Sequence, residues 1–334
     1  MIISSQELQR DFLARAVQAP IWRLGSVEPP HLRAAVAIGA FDGVHIGHRD
    51  LIERTCEDAV SRGLSSVVVT FDPDPDEVVS SSPALKLMSV DDRLRCLSQT
   101  GVDGVLVVPF TSKIAGLGFE DFFRSVVFPA LHVESVHVGA NFRLGAGARS
   151  DVLSMRPWLA DHGVDLYDHR LVTDEGSCVS ATRIRSLVSD GDLEGASKEL
   201  GRRYMLSGIV SRGRGQGSGM GFPTANVALG PLAQLPRRGV WAALARTERG
   251  EVYPAAVNVG VPPMFEHEAH VSRLEVNLLG YSGDLYGQRL SVVFVSYLRA
   301  SVRFGSVDEL IHAVNHDIAC VASLLGEGKI EMDE

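Results

Sequence analysis

The sequence predicts an α/β domain with a Rossmann-like parallel sheet, followed by a small antiparallel β-barrel that ends in a helix. Three observations carry this expectation. At 334 residues the chain exceeds one ordinary domain, so two packed units are expected. From Ala34 to about Asp168, short apolar runs rich in β-formers alternate with helical patterns, the signature of a parallel sheet covered by helices. From Tyr204 to Arg299 the runs are strand-like, with Gly and Pro turns and little helical periodicity.

In chain order, Ala34–Ile38, Val67–Thr70, Gly104–Pro109, Val133–Val138 and Val164–Tyr167 read as strands. Leu51–Val60, Val90–Gln99 and Glu120–Val127 space their apolar residues for helices. A helical pair follows, roughly Ser180–Ser189 and Asp192–Leu200. The pattern then changes near Gly201–Arg203, which sets the expected domains at 1–202 and 203–334. An amphipathic helix from about Val307 to Leu325 closes the second domain. There is no internal repeat, and only Gly213–Gly221 resembles low complexity.

The composition, 45% apolar and 22% charged, is that of a folding globular chain. A net charge of -9 argues against nucleic acid or an anionic membrane as partner, since both require a broad basic surface. No apolar run approaches the roughly 20 residues that span a bilayer, and Met1–Arg10 lacks a leader pattern. The expected location is the cytoplasm. Cys56, Cys96, Cys178 and Cys320 show no paired spacing for zinc, a redox dithiol or a disulfide.

The first chemical motif is Gly39-Ala40-Phe41-Asp42-Gly43-Val44-His45-Ile46-Gly47-His48, between a strand and an amphipathic helix. Gly39, Gly43 and Gly47 let backbone approach a phosphate closely, while the free N–H groups and dipole of the helix start favour negative charge. His45 and His48 can face one side of the opening turn. Two imidazoles there can donate hydrogen bonds to a triphosphate as charge builds on departing pyrophosphate. The alternatives are a metal pair or two unrelated histidines. The stretch resembles the HxGH nucleotidyltransferase superfamily, as does Val179–Arg185, where Ser180 can cap a helix bearing Thr182, Arg183 and Arg185. That second segment also reads as an ordinary capped surface helix.

The second motif is the glycine stretch containing Gly215, Gly217 and Gly221, followed by Phe222-Pro223-Thr224-Ala225-Asn226. Glycines alone mean a flexible loop more often than a nucleotide cradle. A turn and strand pattern follows, which argues against a dinucleotide fingerprint because that fingerprint needs a helix. Thr224 and Asn226, at strand spacing, point their oxygens to one face, where they could hold Mg²⁺ and phosphate. In Arg273–Leu278, Leu274, Val276 and Leu278 take one face, leaving Glu275 and Asn277 on the other. Glu275 is either a solvated strand residue or a functional carboxylate.

Together these motifs resemble the bacterial bifunctional riboflavin kinase/FAD synthetase family, along with Thr70-Phe71-Asp72-Pro73, Val138–Gly145 and Asp284-Leu285-Tyr286-Gly287. The resemblance covers nearly the whole chain. It implies ATP-dependent phosphorylation of riboflavin to FMN by the barrel, then adenylylation of FMN to FAD with pyrophosphate release by the N-terminal domain. By the same resemblance Gly39, Phe41, Asp42, Gly43 and Gly47 border the ATP site and Asp72, Asn141, Phe142 and Arg143 the flavin site. It likewise implies that Thr224 and Asn226 hold Mg²⁺-ATP and that Glu275 takes the ribityl proton.

Several positions depart from the family pattern. Asp74 stands where a His is usual, placing a carboxylate near the expected triphosphate. Ala181 replaces a Ser, Arg212-Gly213-Arg214-Gly215 replaces a His-Gly-Asp-Gly run, and Pro262-Pro263-Met264 falls where Arg and Thr are usual. A chain with only its adenylyltransferase half active, or a flavin-binding protein without turnover, are the competing expectations.

Overall fold

Strands β1 (Ile21–Arg23), β2 (Arg33–Ile38), β3 (Ser65–Asp72), β4 (Gly104–Pro109) and β5 (His132–Gly139) belong to one sheet in a computed structural model describing residues 3–212, 222–260 and 273–331. After a two-stranded excursion of β6 (Arg143–Leu144) and β7 (Ser150–Asp151), β8 (Asp165–His169) completes that sheet. The order is β1-β4-β3-β2-β5-β8, and every pairing is parallel. Its strands are apolar almost throughout because both faces are covered: Val67, Val68 and Val69 are all fully buried.

The chain splits into two compact units: Arg15–Ala84 with Val90–Ala181, and Met1–Ala14 with Leu85–Ser89 and Thr182–Glu334. Helix α1 (Ser5–Asp11) thus belongs with the second unit, where buried Asp11 accepts from the Arg203 backbone N–H at 3.0 Å and from its guanidinium at 2.6 Å. In the first unit, α2 (Ile46–Arg62) follows β2, and α3 (Pro75–Val79) and α4 (Val90–Ser98) follow β3. After β4 come α5 (Ser112–Ala115), α6 (Phe119–Phe122), a π-turn over Phe123–Val127 and α7 (Phe128–Ala130). The helix expected over Glu120–Val127 is therefore present, as part of one continuous helical run whose winding widens to a π-turn. Pro129 has no N–H to give the carbonyl of Ser125, which loosens the winding there. Helix α8 (Val152–Asp161) precedes β8, and the hairpin of β9 (Thr173–Asp174) and β10 (Ser177–Cys178) follows it.

In the second unit, α9 (Ala181–Asp190) and α10 (Leu193–Leu200) lead to six strands: β11 (Met205–Ser211), β12 (Ala225–Ala228), β13 (Gly239–Arg246), β14 (Val252–Val259), β15 (Arg273–Leu278) and β16 (Arg289–Arg299). They close into a barrel of order β11-β12-β15-β14-β13-β16 with antiparallel pairing throughout, as the alternation predicts. Closure leaves no unpaired edge. Helix α11 (Val307–Leu325) spans the expected residues, and its Val321 packs in one apolar cluster with Ala242, Ala256 and Leu279. Asp317 on that helix takes Arg299 in a two-point ion pair at 2.9 and 2.7 Å.

Candidate active sites

The sheet order reverses between β2 and β5, so the crevice beyond their C-terminal ends is where a ligand is expected in such a sheet. Both of the first unit's motifs start there. Gly39 follows β2, and Asn141, Phe142 and Arg143 follow β5.

The turn after β2 is strained. Phe41, Gly43 and Val44 all have positive φ, at 57°, 77° and 41°. Glycine adopts this region freely, but a β-branched valine does so at a cost of order 1–3 kcal/mol, a form of strain that clusters at functional sites. Gly39 is fixed by contact: a Cβ there would stand 3.1 Å from the Phe41 ring, and one on Gly47 would stand 3.2 Å from the His45 ring.

His45 caps α2, its Nδ1 accepting the His48 backbone N–H at 3.3 Å. That bond puts the His45 ring proton on Nε2. The two imidazoles stack with centroids 3.5 Å apart, and Phe41 meets His48 edge-on at 5.2 Å. Burial first, then His45, then the Arg93 guanidinium hold His48 well below the usual imidazole range. It is neutral near pH 7 and acts as a hydrogen-bond donor or acceptor. His48 Nδ1 is buried and has no hydrogen-bond partner among the described residues. Such an orphan costs about 1–3 kcal/mol, which suits a site that a ligand completes.

Asp74 is buried and forms an ion pair with Arg93, whose other nitrogen donates to the Phe71 carbonyl at 2.5 Å. The charge of this carboxylate is balanced by a guanidinium that also acts on His48. Arg93 is a site neighbour the sequence reading missed, since only the fold brings α4 beside this turn.

Asp72 accepts from Arg23 at 2.7 Å. Asn141 and Arg143 are exposed, whereas the Phe142 side chain packs against the sheet core. A third cluster lies on β5 and β8. His137 holds Asp58 at 3.1 Å through Nε2 and His169 at 3.0 Å through Nδ1, and Ser135 donates to Asp58 at 2.6 Å. The His169 carbonyl accepts the Ala140 N–H at 2.9 Å, tying this cluster to the backbone of the Asn141 segment.

Ser180 closes the first unit's site sequence just ahead of α9, while Thr182, Arg183 and Arg185 belong to the second unit. Arg183 pairs with buried Glu199, and Arg185 donates to the Thr182 hydroxyl at 3.3 Å.

On the barrel, Thr224 is exposed and Asn226 half-buried, with Ala225 and Val227 turned inward, so the expected alternation holds. Asn226 is directly opposite Glu275, which is in turn opposite Asn258. Leu274 and Val276 are fully buried and Glu275 half-buried on the other face. Asn258 donates to Glu275 Oε2 at 3.4 Å, while Asn277 donates to the Pro223 carbonyl at 2.8 Å. Gly215, Gly217, Gly221 and Arg214 lie outside the described residues, as do Pro262 and Met264; Arg212 stands 5.8 Å over the Tyr286 ring.

The chain thus combines an imidazole pair at a helix start beside a sheet switch point with a barrel on which Asn226 and Glu275 are cross-strand partners, an arrangement suited to a two-domain enzyme of phosphate transfer. The comparisons agree. The family model for FAD synthetase matches residues 28–183, and that for riboflavin kinase matches residues 200–325. Bifunctional riboflavin kinase/FMN adenylyltransferases from Pseudomonas fluorescens and Escherichia coli K12 are 32% and 33% identical. They cover 90% and 87% of this chain, which spans 96% and 92% of theirs. The crystal structure of a macrolide-efflux protein from Streptococcus pneumoniae matches with TM-score 0.77 and 26% identity over 90% of this chain and 98% of that one. Among the described residues here, no helix is long and apolar enough to cross a membrane.

The chain belongs to the bifunctional riboflavin kinase/FMN adenylyltransferase family. It is an enzyme that makes FAD from riboflavin in two steps, phosphorylation and then adenylyl transfer.

Proposed function

We propose that each step is carried by its own site, with the boundary between activities at 202/203. FMN adenylylation is assigned to the crevice at β2 and β5. There an FMN phosphate oxygen attacks the α-phosphorus of ATP, the bond to the bridging oxygen breaks, and pyrophosphate leaves. His45 and His48 donate to the departing phosphates, and the α2 start and Gly39–Gly47 backbone receive their charge. Ser180 adds a phosphate contact, and Asp72 and Asn141–Arg143 border the flavin. The observation that carries this assignment is the stacked His45–His48 pair at the switch point, with an orphaned imidazole nitrogen.

Riboflavin phosphorylation is assigned to the barrel face bearing Thr224, Asn226 and Glu275. Glu275 accepts the ribityl hydroxyl proton while that oxygen bonds to the γ-phosphorus and ADP departs. The oxygen donors of Thr224 and Asn226 suit a hard cation, and Mg²⁺ usually completes its shell with water and phosphate oxygens. Bound there, Mg²⁺ would neutralise charge on the ATP phosphates.

Separate assays test the division. Glu275→Gln should lower FMN formation by roughly 10²- to 10⁴-fold while leaving FMN adenylylation intact. His48→Ala should do the reverse, lowering FAD formation from FMN by about 10²- to 10³-fold. If either substitution slows both reactions alike in a folded protein, the division between sites is wrong.

A further inference from the structure

Glu275 is one member of a polar row that runs across three strands. Asn226 on β12, Glu275 on β15 and Asn258 on β14 are direct cross-strand partners. The row extends beyond the sheet. Ser301, in the segment after β16, donates its hydroxyl to Asn258 Oδ1 at 3.1 Å, and Asn258 Nδ2 donates to Glu275 Oε2 at 3.4 Å.

The order of donors is informative. An asparagine amide has one accepting end and one donating end, and an unrestrained amide presents either by turning over. With Ser301 occupying the accepting end, the donating end is directed to Glu275. That bond engages one carboxylate oxygen and limits rotation of the group about its stem. A base must be held in line with the proton it takes, and misplacement by about 1 Å can cost on the order of a hundredfold in rate.

We propose that Asn258 and Ser301 are positioning residues for phosphoryl transfer, with Ser301 orienting the Asn258 amide and Asn258 orienting the Glu275 carboxylate. The proposal rests on the reading of Glu275 as the proton acceptor. Neither residue need touch substrate. A purely structural role is the competing explanation, because ordinary cross-strand polar pairs also support a sheet. The two differ in what they change: loss of orientation lowers kcat, whereas general loosening of the barrel affects stability and the adjoining binding positions.

The test is steady-state riboflavin phosphorylation by the full chain. Ser301→Ala should lower kcat roughly tenfold and Asn258→Leu further, by up to about a hundredfold. KM for riboflavin and ATP should stay within about twofold, since binding does not depend on the carboxylate's angle. Ser301→Thr, which keeps the hydroxyl, should recover most of the loss. Adding Ser301→Ala to Asn258→Leu should cost nothing more, because Ser301 acts only through Asn258. The thermal unfolding midpoint of each variant reports that the barrel is folded.

Glu275→Gln is measured alongside. If it leaves kcat near wild type, the reading of Glu275 fails and the proposal with it. If Glu275→Gln is inactive while Ser301→Ala keeps wild-type kcat, the positioning proposal alone is overturned. A change confined to KM, or a kcat loss that Ser301→Thr does not recover, overturns it as well. Should Asn258→Leu fail to fold, the Ser301 pair decides.

Discussion

Asp74 and Arg93 show how a single departure from a family pattern is absorbed. Taken as sequence, Asp74 sets a carboxylate beside an anionic substrate; in the fold it is buried against Arg93, and that guanidinium adds to the forces keeping His48 neutral. Removing one member of a buried pair leaves a charge without compensation, at a cost of about 3–5 kcal/mol. Asp74→Ala should therefore lower the N-terminal unit's thermal midpoint markedly, and Asp74→Ala with Arg93→Met should recover part of it. Equal midpoints for wild type and Asp74→Ala, followed by calorimetry, would show the pair to be inconsequential. Local spacing placed the imidazole pair at a glycine turn before a helix and Glu275 on the polar face of its strand, whereas the role expected of Glu275 came only from the family resemblance. Local spacing does not place Arg93, Asn258 or Ser301. Each reaches its partner through tertiary contact, 19 residues away for Arg93 to Asp74 and 43 for Ser301 to Asn258.

At the scale of elements, strands with continuous apolar runs or clear alternation were legible to within a few residues, as β2 to β5 and α11 show. What escaped was short or nonlocal. Strand β1 has three residues and α1 seven, too few for a period to register, and α1 joins the barrel unit through Asp11 and Arg203, separated by 192 positions. Because that contact is buried on the Asp11 side, a bare fragment from Arg203 to Glu334 should unfold at lower denaturant than the same fragment with residues 1–14 tethered to it. Equal midpoints would mean that α1 contributes nothing. The ends of β5 and β8 carry a different liability. His137 and His169 are held below the usual imidazole range mainly by burial, opposed in His137 by Asp58, while His169 is also opposed by Asp50 and Asp168 and lowered further by His137 and Arg54. Arg62 acts on His137 in the same lowering direction. With His48 they bind protons less readily folded than unfolded, so the stability they support is whole above about pH 6.5 and falls as pH drops below it. The unit's thermal midpoint should decline between pH 7 and pH 5, and the slope should shrink in a His137→Gln, His169→Gln variant. An unchanged slope would place the sensitivity elsewhere.

At the scale of the whole molecule, two chemistries are joined in one chain, phosphorylation of riboflavin and adenylylation of the resulting FMN, and the proposed division gives the first to the barrel and the second to the sheet. The net charge of -9 is compatible with anionic substrates, because small anions need only local donors such as a helix start and no broad basic surface. The most direct measurement is a chromatographic time course of riboflavin, FMN and FAD after the purified chain is mixed with riboflavin, ATP and Mg²⁺. The account predicts that wild type converts riboflavin to FMN and then FAD, that His48→Ala stops at accumulating FMN, and that Glu275→Gln makes neither from riboflavin yet still makes FAD when FMN is supplied. FAD formed from riboflavin by folded His48→Ala at the wild-type rate, or FMN formed by Glu275→Gln at the wild-type rate, would contradict it.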